Sequence, residues 1–600
     1  MACRPLPPVA RVLPDVAGFE RELDYSVPAE LAGAVRPGSV VRVPLQGRTV
    51  SGWVLAFPVQ PPDGLVLRPL VKVMGWGPEP ELVHLAAWAA WRWAGRRRSL
   101  LVTASPLVAV RQLPPGREQP VPYRQSVGQG AERDLVNEVR GPGRHLLRLP
   151  PVYDATALVL ALAERGPVLV VAPTNARAGA GCAALRRRGA KVALLPGDWP
   201  LARAGADVVI GARSAVWGPC PGLGSIVVLD AHDEGLVQEQ APTWDAPSVA
   251  GERARRAGVP CLWVTPCPTL DLLSATDQQH VASRATERSG WAKLQVVDRR
   301  RSDPRTGLYS PELIRLLRNA ERRVVCVLNR KGRALLLDCA ACGEVARCEH
   351  CAGAVRLVGE ELTCRRCGRS RPLVCASCGS DSLRSLRVGV TRAREQLEAL
   401  AGRPVAEVAA VARAKGDELP GASVLVGTET VLYRESELRR GGGVGTVAFL
   451  DFDQELLAPR YRAAEEALAL MARASRLVGG RSRDGRILVQ TRVPGHPVIE
   501  AAALADPGRL SLAEEPVRRA LRLPPYTALA VLSGAGAAEL AGALENLRPG
   551  PGAGGRVEVS VLGDGRWAVR APDQGALADA LAAVDRPEER VRVEVGPVRF

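Results

Sequence analysis

No Gly-Lys dipeptide occurs anywhere in the 600 residues. A glycine-rich loop ending in lysine at a helix N-terminus is the usual cradle for a nucleoside triphosphate, and this chain has no such segment. Long apolar runs are missing too. The most apolar stretch, 157–172, is broken by Glu164-Arg165-Gly166-Pro167, so no span of a bilayer is expected. Residues 1–8 carry no apolar segment of the kind that marks a secretion signal. Lysine is scarce: the cations behind a formal net charge of +17 are nearly all arginine. Guanidinium forks match phosphates and guanine edges, which points to a polyanionic partner, nucleic acid foremost, although arginine bias can also mirror a GC-rich genome. Outside one cluster the cysteines show no pairing pattern, as expected of a reducing cytoplasm. No internal repeat is visible. Apolar content of 46% and charge of 24% are those of an ordinary globular chain, and the length suggests about four domains.

What is present is concentrated between Cys339 and Cys378. Four CxxC pairs stand there: Cys339 and Cys342, Cys348 and Cys351, Cys364 and Cys367, Cys375 and Cys378. A CxxC knuckle aims two sulfurs at one ion, and Zn²⁺ takes four such ligands in a tetrahedron. Eight thiols therefore predict two closed Cys₄ sites and two Zn²⁺ per chain, with no open position for a reacting water. Each site would contribute about 10–16 kcal/mol of apparent folding free energy. Gly343, Gly353, Gly368 and Gly379 follow cysteines, where a knuckle calls for positive φ. His350 lies between two ligands and could replace one, but the cysteines complete both sets. Spacing allows the pairs to combine either in sequence or nested.

The rest of the chain divides by pattern. Residues 1–105 open with alternating segments at 23–27, 39–44 and 48–55, punctuated by Pro37-Gly38 and Gln46-Gly47, which predicts a small β-rich domain. A helix is expected over 80–93, and a Pro-, Gly- and Gln-rich linker over 106–130. Over 131–300, continuous Val/Ile/Leu runs at 168–172, 191–195, 207–211, 225–230 and 260–264 alternate with helical pattern, the signature of a parallel α/β sheet. A second such unit, 301–490, has runs at 323–328, 423–427, 445–450 and 487–490, with the cysteine module inserted at 339–378. Residues 491–600 read as α+β, with strands at 528–532, 556–560 and 590–595 and a loop at 549–555.

Two parallel α/β lobes in one chain are the plan of nucleic-acid motor ATPases. Several ordered motifs sharpen this. The chain carries Gly211-Ala-Arg213-Ser214-Ala-Val-Trp217, then a Leu-Gly-Ser-Ile-Val run from Leu223, then Leu328-Asn329-Arg330-Lys331-Gly332 ahead of the cysteines. Val426-Gly427-Thr428-Glu429, Arg460-Tyr461-Arg462-Ala-Ala-Glu465-Glu466, Ile487-Leu-Val-Gln-Thr491 and Leu523-Pro-Pro-Tyr526 follow. In this order they resemble GTRSA(I/V)F, LNRRG, IGTQ, FRAxER, ILQT and PPF/Y of the primosomal protein N′ (PriA) replication-restart family, over nearly the whole length. The resemblance implies tandem parallel α/β helicase-like lobes, an N-terminal β-rich DNA-binding domain, an inserted two-zinc Cys₈ module and a C-terminal α+β DNA-binding domain. It implies nested metal sites, Cys339, Cys342, Cys375 and Cys378 on one ion and Cys348, Cys351, Cys364 and Cys367 on the other.

The departures carry as much weight. The family's GxTGSGKT loop falls on Leu149-Pro-Pro-Val-Tyr-Asp154-Ala155-Thr156. Its three glycines are gone, Ala155 replaces the lysine, and Asp154 would oppose a phosphate. DEEH falls on Leu229-Asp230-Ala231-His232, and QVAGRAGR on the looser Arg473-Ala-Ser-Arg476 through Arg481. Phosphoryl transfer depends on positioning and charge neutralisation, so no nucleotide-binding or catalytic residue is expected to function at Ala155 and Thr156, and ATP is not expected as a cofactor. The family's N-terminal domain captures the 3′ end of a nascent strand. Leu23-Asp24-Tyr25 resembles its Phe-Asp-Tyr, Val43-Pro-Leu-Gln46 with Gly47 resembles its VPFG, and its basic pocket residue falls near Arg68. Asp24, Gly47 and Arg68 are thus the expected DNA contacts. Residues 106–130 are too short for the family's winged-helix domain.

Three readings stand at this point. One is a scaffold that recognises stalled or abandoned forks and D-loops to initiate replication restart, without helicase activity. Its partners would be forked and single-stranded DNA, single-stranded DNA-binding protein, and primosome and helicase-loading proteins, and its location cytoplasmic, associated with the nucleoid, with no membrane. The second is an active ATP-dependent 3′→5′ DNA helicase with a divergent nucleotide site. The third, a zinc-ribbon protein acting on RNA polymerase or ribosomes, is opposed by the ordered motifs.

Overall fold

The computed structural model describes residues 7–60, 65–116, 131–302, 308–319, 321–328, 337–351, 353–364, 367–385, 390–408, 421–440, 442–547, 557–563, 565–598 and 600. The chain opens with a five-stranded antiparallel sheet in the order Leu23–Ser26, Val9–Pro14, Arg48–Val59, Val40–Leu45, Lys72–Gly75. Val9–Pro14 is illegible in the alternation because nearly every residue of it is buried. Gln46 and Gly47 both take positive φ, 47° and 77°. This is the two-residue hairpin turn whose twist suits the flanking strands, and glycine meets its demand at no steric cost. Helix Pro80–Arg92 then buries Leu82, Val83, Leu85, Ala86 and Ala89, the i, i+3, i+4 face of an amphipathic helix. A second helix, Arg97–Ala104, follows directly.

The N-terminal domain is docked firmly. Trp76 is clasped between the guanidiniums of Arg36 and Arg203, 5.0 and 4.9 Å from its ring. Trp199 Nε1 donates to the carbonyl of Ala104 at 3.1 Å. The expected linker also starts as a docked segment. Trp76 N–H donates to Val110 O at 2.8 Å, and Lys191 Nζ donates to the carbonyls of Pro115 and Gly116. The rest of the linker, 117–130, lies outside the described residues.

The first lobe is a seven-stranded, all-parallel sheet. Its order is Gln278–Val281, Gly143–Arg148, Pro260–Thr265, Ser225–Leu229, Val168–Val171, Val208–Gly211, Val192–Leu194. The five buried runs expected from sequence are all here. Gly143–Arg148 (Gly-Arg-His-Leu-Leu-Arg) and Gln278–Val281 (Gln-Gln-His-Val) hold too many polar residues to register as runs. The second lobe is a six-stranded parallel sheet: Lys293–Asp298, Arg486–Thr491, Val444–Phe449, Arg323–Val327, Val424–Gly427, Val405–Val408. Lys293–Asp298, assigned by pattern to the first unit, is the edge strand of the second, because it pairs residue for residue with Arg486–Thr491. Helices Pro497–Leu504 and Gly508–Ala520, read as C-terminal, instead place Val498, Ile499, Ala502 and Leu510 in the core of the second lobe.

The cysteine module interrupts the second lobe after Arg323–Val327. It contains a two-stranded ladder, Leu337–Cys339 with Leu383–Ser385, and a three-stranded one, Val355–Val358, Glu361–Cys364, Ser370–Pro372. The C-terminal sheet runs Glu558–Gly563, Arg566–Ala571, Ala528–Ser533, Arg592–Val595, antiparallel, and packs helices Ala537–Glu545 and Gln574–Ala583. The expected loop at 549–555 lies outside the described residues. One continuous apolar core joins the N-terminal helices, one face of the first lobe and the C-terminal sheet. The second lobe keeps separate cores on its two faces. Among the described residues no helix is long and apolar enough to cross a membrane.

Candidate metal centres, inter-lobe cleft and N-terminal pocket

The eight cysteines converge in two groups, Cys339 with Cys342, Cys375 and Cys378, and Cys348 with Cys351, Cys364 and Cys367. Within each group all four sulfurs lie within 4.8 Å of one another. The nested arrangement follows from topology: the Leu337–Cys339 and Leu383–Ser385 ladder brings the outer pairs together, and the three-stranded ladder brings the inner ones. Sulfurs of partner knuckles stand 3.5–3.6 Å apart. A disulfide needs about 2.05 Å, whereas sulfurs about 2.3 Å from a common tetrahedral ion would be about 3.8 Å apart. The donor set thus fits a thiophilic metal. In three knuckles the glycine N–H closes the turn onto the first cysteine's carbonyl: Gly343 on Cys339 at 2.8 Å, Gly368 on Cys364 at 3.1 Å, Gly379 on Cys375 at 2.9 Å. These glycines share φ of 75°. Gly353 stands one place later relative to its cysteine, and its N-terminal neighbour lies outside the described residues. His350 is exposed and outside both groups.

The second candidate site lies where the parallel strands of the first lobe end, the usual place for ligands in such sheets. Helix Ala155–Ala163 starts after strand Gly143–Arg148, so its N-terminal amides face the cleft. They are already occupied. Asp154 is the N-cap, and its Oδ1 accepts from Thr156 N at 2.9 Å and Ala157 N at 3.1 Å. A carboxylate satisfies the free amides and the positive helix end much as a phosphate would.

Asp230, at the end of strand Ser225–Leu229, is 1% exposed. It receives a two-pronged pair from Arg476 of the second lobe, with Nη1 to Oδ2 at 2.8 Å, and Arg177 approaches at 3.6 Å. Burial raises the Asp230 pKa, yet Arg476 and Arg177 outweigh it and hold the carboxyl well below its usual range. Arg476 Nε also donates to Pro151 O at 2.8 Å, in the loop between strand Gly143–Arg148 and helix Ala155–Ala163. Beneath lies Tyr153, with Arg177 and Arg476 5.9 and 5.7 Å from its ring and its phenol pushed up to about 12 by burial and by Asp230. Next to this pair, Arg473 bonds Asp233 and lies 3.8 Å over the ring of Tyr433. His232 shares a 2.9 Å contact between Nδ1 and Thr265 Oγ1, and burial lowers its pKa to about 4. An adjoining cavity of about 210 Å³ is lined by eight carboxyl side chains and four guanidiniums, and burial pushes Glu466 among them up to about 8.

Of the surviving motif residues, Thr156 serves the cap through its N–H, and Arg481 donates to Ala503 O at 3.1 Å. Arg213 is spent on the carbonyls of Gly235 and Val237 at 3.1 and 2.7 Å and on Gln238. Residues 329–332 of the Leu-Asn-Arg-Lys-Gly motif lie outside the described residues. Sequence reasoning missed Arg177, which no motif singles out, and gave no role to Tyr153 or Arg473, although both lie within aligned motifs.

In the N-terminal domain, Asp24 and Arg68 line one open cavity of about 620 Å³, with Tyr25, Pro44 and Gln46. Gly47 sits in the adjoining turn, with open space around it. Asp24 is held by Arg11 through bonds of 2.9 and 3.1 Å. That partner is supplied by strand pairing, since the register sets Arg11 opposite Asp24. Tyr25 donates its hydroxyl to Pro44 O at 3.1 Å. Leu65 and Val66, 66% and 99% exposed, stand at the rim.

Residues 11–106 match the family model described as the PriA 3′ DNA-binding domain (3′BD). The chain is 30% identical over 581 residues to a probable replication restart protein PriA of Mycobacterium tuberculosis H37Rv, covering 86% of this chain and 85% of that one. It is 28% identical over 353 residues to the replication restart protein PriA of Haemophilus influenzae, covering 56% and 48%. Among solved structures, Saccharomyces cerevisiae Dbp5 bound to RNA and ADP BeF3 aligns with 63% of this chain and 89% of its own, at 11% identity and a TM-score of 0.36.

Proposed function

The chain belongs to the replication restart protein PriA family, and from that membership we propose that it recognises stalled or abandoned replication forks and D-loops and initiates restart as a DNA-binding scaffold without a helicase motor. Its DNA-binding domain and helicase-like lobes are those of the family; what it does with them differs at the cleft. The carrying observation is the self-occupied phosphate position. Asp154 caps the amides that would bind phosphate, and Asp230 is paired with Arg476. A triphosphate entering there would meet a carboxylate where the family keeps a lysine and glycines, and positioning plus charge neutralisation is nearly all that enzymatic phosphoryl transfer requires.

The two thiolate groups each hold a Zn²⁺ in this reading, and their role is structural, because four sulfurs leave no open coordination position. Asp24, Gly47 and Arg68 form the 3′-end pocket. There Arg68 supplies the cation for the phosphate behind a terminal nucleotide, and Arg11 fixes the Asp24 carboxylate for the hydroxyl. Single-stranded DNA-binding protein, primosome components and helicase-loading proteins are the partners of such a scaffold, in the cytoplasm at the nucleoid.

The test is ATP hydrolysis by the zinc-loaded full chain with and without forked DNA, alongside binding to forks with and without a 3′ end at the junction. Hydrolysis should stay at background while forks with the 3′ end bind in preference to blunt duplex. Turnover at about 1 s⁻¹ or faster that requires forked DNA establishes the alternative, an active 3′→5′ helicase with a divergent site.

A further inference from the structure

We infer that the two lobes are locked together by the protein's own buried ion pairs, so that the closed arrangement is the resting state and no nucleotide is needed to reach it. The inference rests on the motorless reading above and adds a conformational consequence to it. Its starting point is the division of the cores. The first lobe shares one core with the N-terminal helices and the C-terminal sheet, whereas the second lobe's cores are separate and take in little of the first lobe beyond Cys267 among the described residues. Two bodies of this kind could move past each other unless something polar holds them.

Charged side chains span the gap at three places. Near the phosphate position, Arg476 joins the second lobe to Asp230 and to the carbonyl of Pro151. One turn away, Arg473 reaches Asp233, itself 5% exposed. At the far end Glu465 accepts from Leu270 N at 2.8 Å, while Arg462 and Arg518 pair with Asp271 at 3.2 and 3.6 Å. Arg518 is fully buried and Glu465 is 8% exposed.

Hydrogen bonds to backbone carbonyls and to one hydroxyl run beside them. Arg481 N–H donates to Trp291 O at 2.9 Å and Ala292 N–H to Ser475 Oγ at 3.2 Å. Arg284 donates to the carbonyls of Ala505 and Leu504 at 2.6 and 2.9 Å.

In a nucleotide-driven motor the ligand bridges the lobes, and it can shift their equilibrium only by its differential affinity for the closed form. Here the bridging groups belong to the chain. They are present at an intramolecular effective concentration whatever the nucleotide level. Arg476, in contact with both Asp230 and the Pro151 carbonyl, stands where it links the two lobes directly. The geometry therefore converts a ligand-gated closure into a fixed one, and the DNA-facing surfaces of both lobes keep one relative orientation.

Small-angle X-ray scattering and hydrogen–deuterium exchange on the zinc-loaded full chain test this, with and without magnesium adenylyl-imidodiphosphate, beside the double variant Arg473→Gln/Arg476→Gln. The wild-type scattering profile should fit the closed structure and be unchanged by the analogue, with slow exchange over 151–157 and 473–481 in both states. The double variant should expand and exchange about tenfold faster or more over 284–293 while retaining its zinc. A wild type that is open alone and compacts on adding the analogue overturns the lock, as does a zinc-retaining variant that stays closed. Should the variant lose its zinc or its fold, the wild-type comparison alone decides. ATP turnover measured on the same samples separates the two readings. Hydrolysis by a protein that never opens defeats the motorless reading, whereas opening without hydrolysis defeats only the lock.

Discussion

Asp154→Ala should loosen the start of its helix without melting it and without creating a nucleotide site. The carboxylate makes two bonds, to Thr156 N and Ala157 N. Replacing an aspartate N-cap by alanine costs about 1 kcal/mol, within a range of about 0.5–2. Loss of the negative charge from the helix N-terminus adds about 0.3–1 kcal/mol, so about 1.5 kcal/mol is expected together. The helix survives because Ala157, Leu158, Val159, Leu160, Ala161, Leu162 and Ala163 are all buried, and that burial outweighs a cap. Exchange of the amides at the first turn should therefore quicken roughly tenfold, the equivalent of about 1.4 kcal/mol, while amides of the last turn are unaffected. Asp154→Asn retains an acceptor but loses the charge, so it should cost only the charge part, about 0.3–1 kcal/mol. Exchange mass spectrometry over 150–163, with equilibrium titration of ATP into the same variants, reads both effects. Asp154→Ala/Ala155→Lys should remain unable to hydrolyse ATP, because Asp230 stays paired with Arg476 and no glycine-rich turn is restored. First-turn amides in Asp154→Ala that exchange as slowly as in the wild type would show that Asp154 does not occupy the phosphate position. DNA-dependent hydrolysis by the double variant would show that the cap and the missing lysine were the whole obstacle.

Metal analysis of the purified chain should give about two zinc per molecule, and stripping them should unfold the cysteine module, since each site supplies about 10–16 kcal/mol; a folded, metal-free protein sinks this. Arg68→Ala should reduce the preference for a 3′ end at the junction by roughly tenfold, about 1.4 kcal/mol, while general affinity and its steep salt dependence persist; equal binding to fork and duplex by the intact protein contradicts it. His232 titrates near 4 in the folded protein against about 6.5 when unfolded. The unfolded state therefore takes up the proton first as pH falls, and stability is lost between about 6.5 and 4, by on the order of 3 kcal/mol. His232→Gln should flatten that part of the stability profile in denaturant titrations, and an unchanged slope would remove the residue from the account.

The lobes, the β-rich N-terminal domain and the C-terminal α+β sheet were legible in the chain because buried parallel strands are written as local apolar runs, as at 168–171, 208–211 and 225–229. The cysteine spacing likewise announced two four-sulfur groups, and the absence of a Gly-Lys dipeptide raised the expectation of a missing phosphate cradle. All of these are properties of residues near one another in sequence. Strands such as Gly143–Arg148 escaped because their polar side chains find partners only once the sheet forms, as Arg148 does on Glu287. The placement of Lys293–Asp298 in the second sheet depends on pairing with residues nearly two hundred positions away. The choice of nested over sequential sulfur groups was open to spacing and was made by the ladder between Leu337–Cys339 and Leu383–Ser385. What fills the empty cradle was beyond any local pattern. Asp154 could be seen to oppose a phosphate, but only the fold sets it as the cap of a buried helix. Only the packing of one lobe on the other brings Arg476 from 246 residues away onto Asp230, because a buried carboxylate must find its counter-ion wherever the tertiary structure places one.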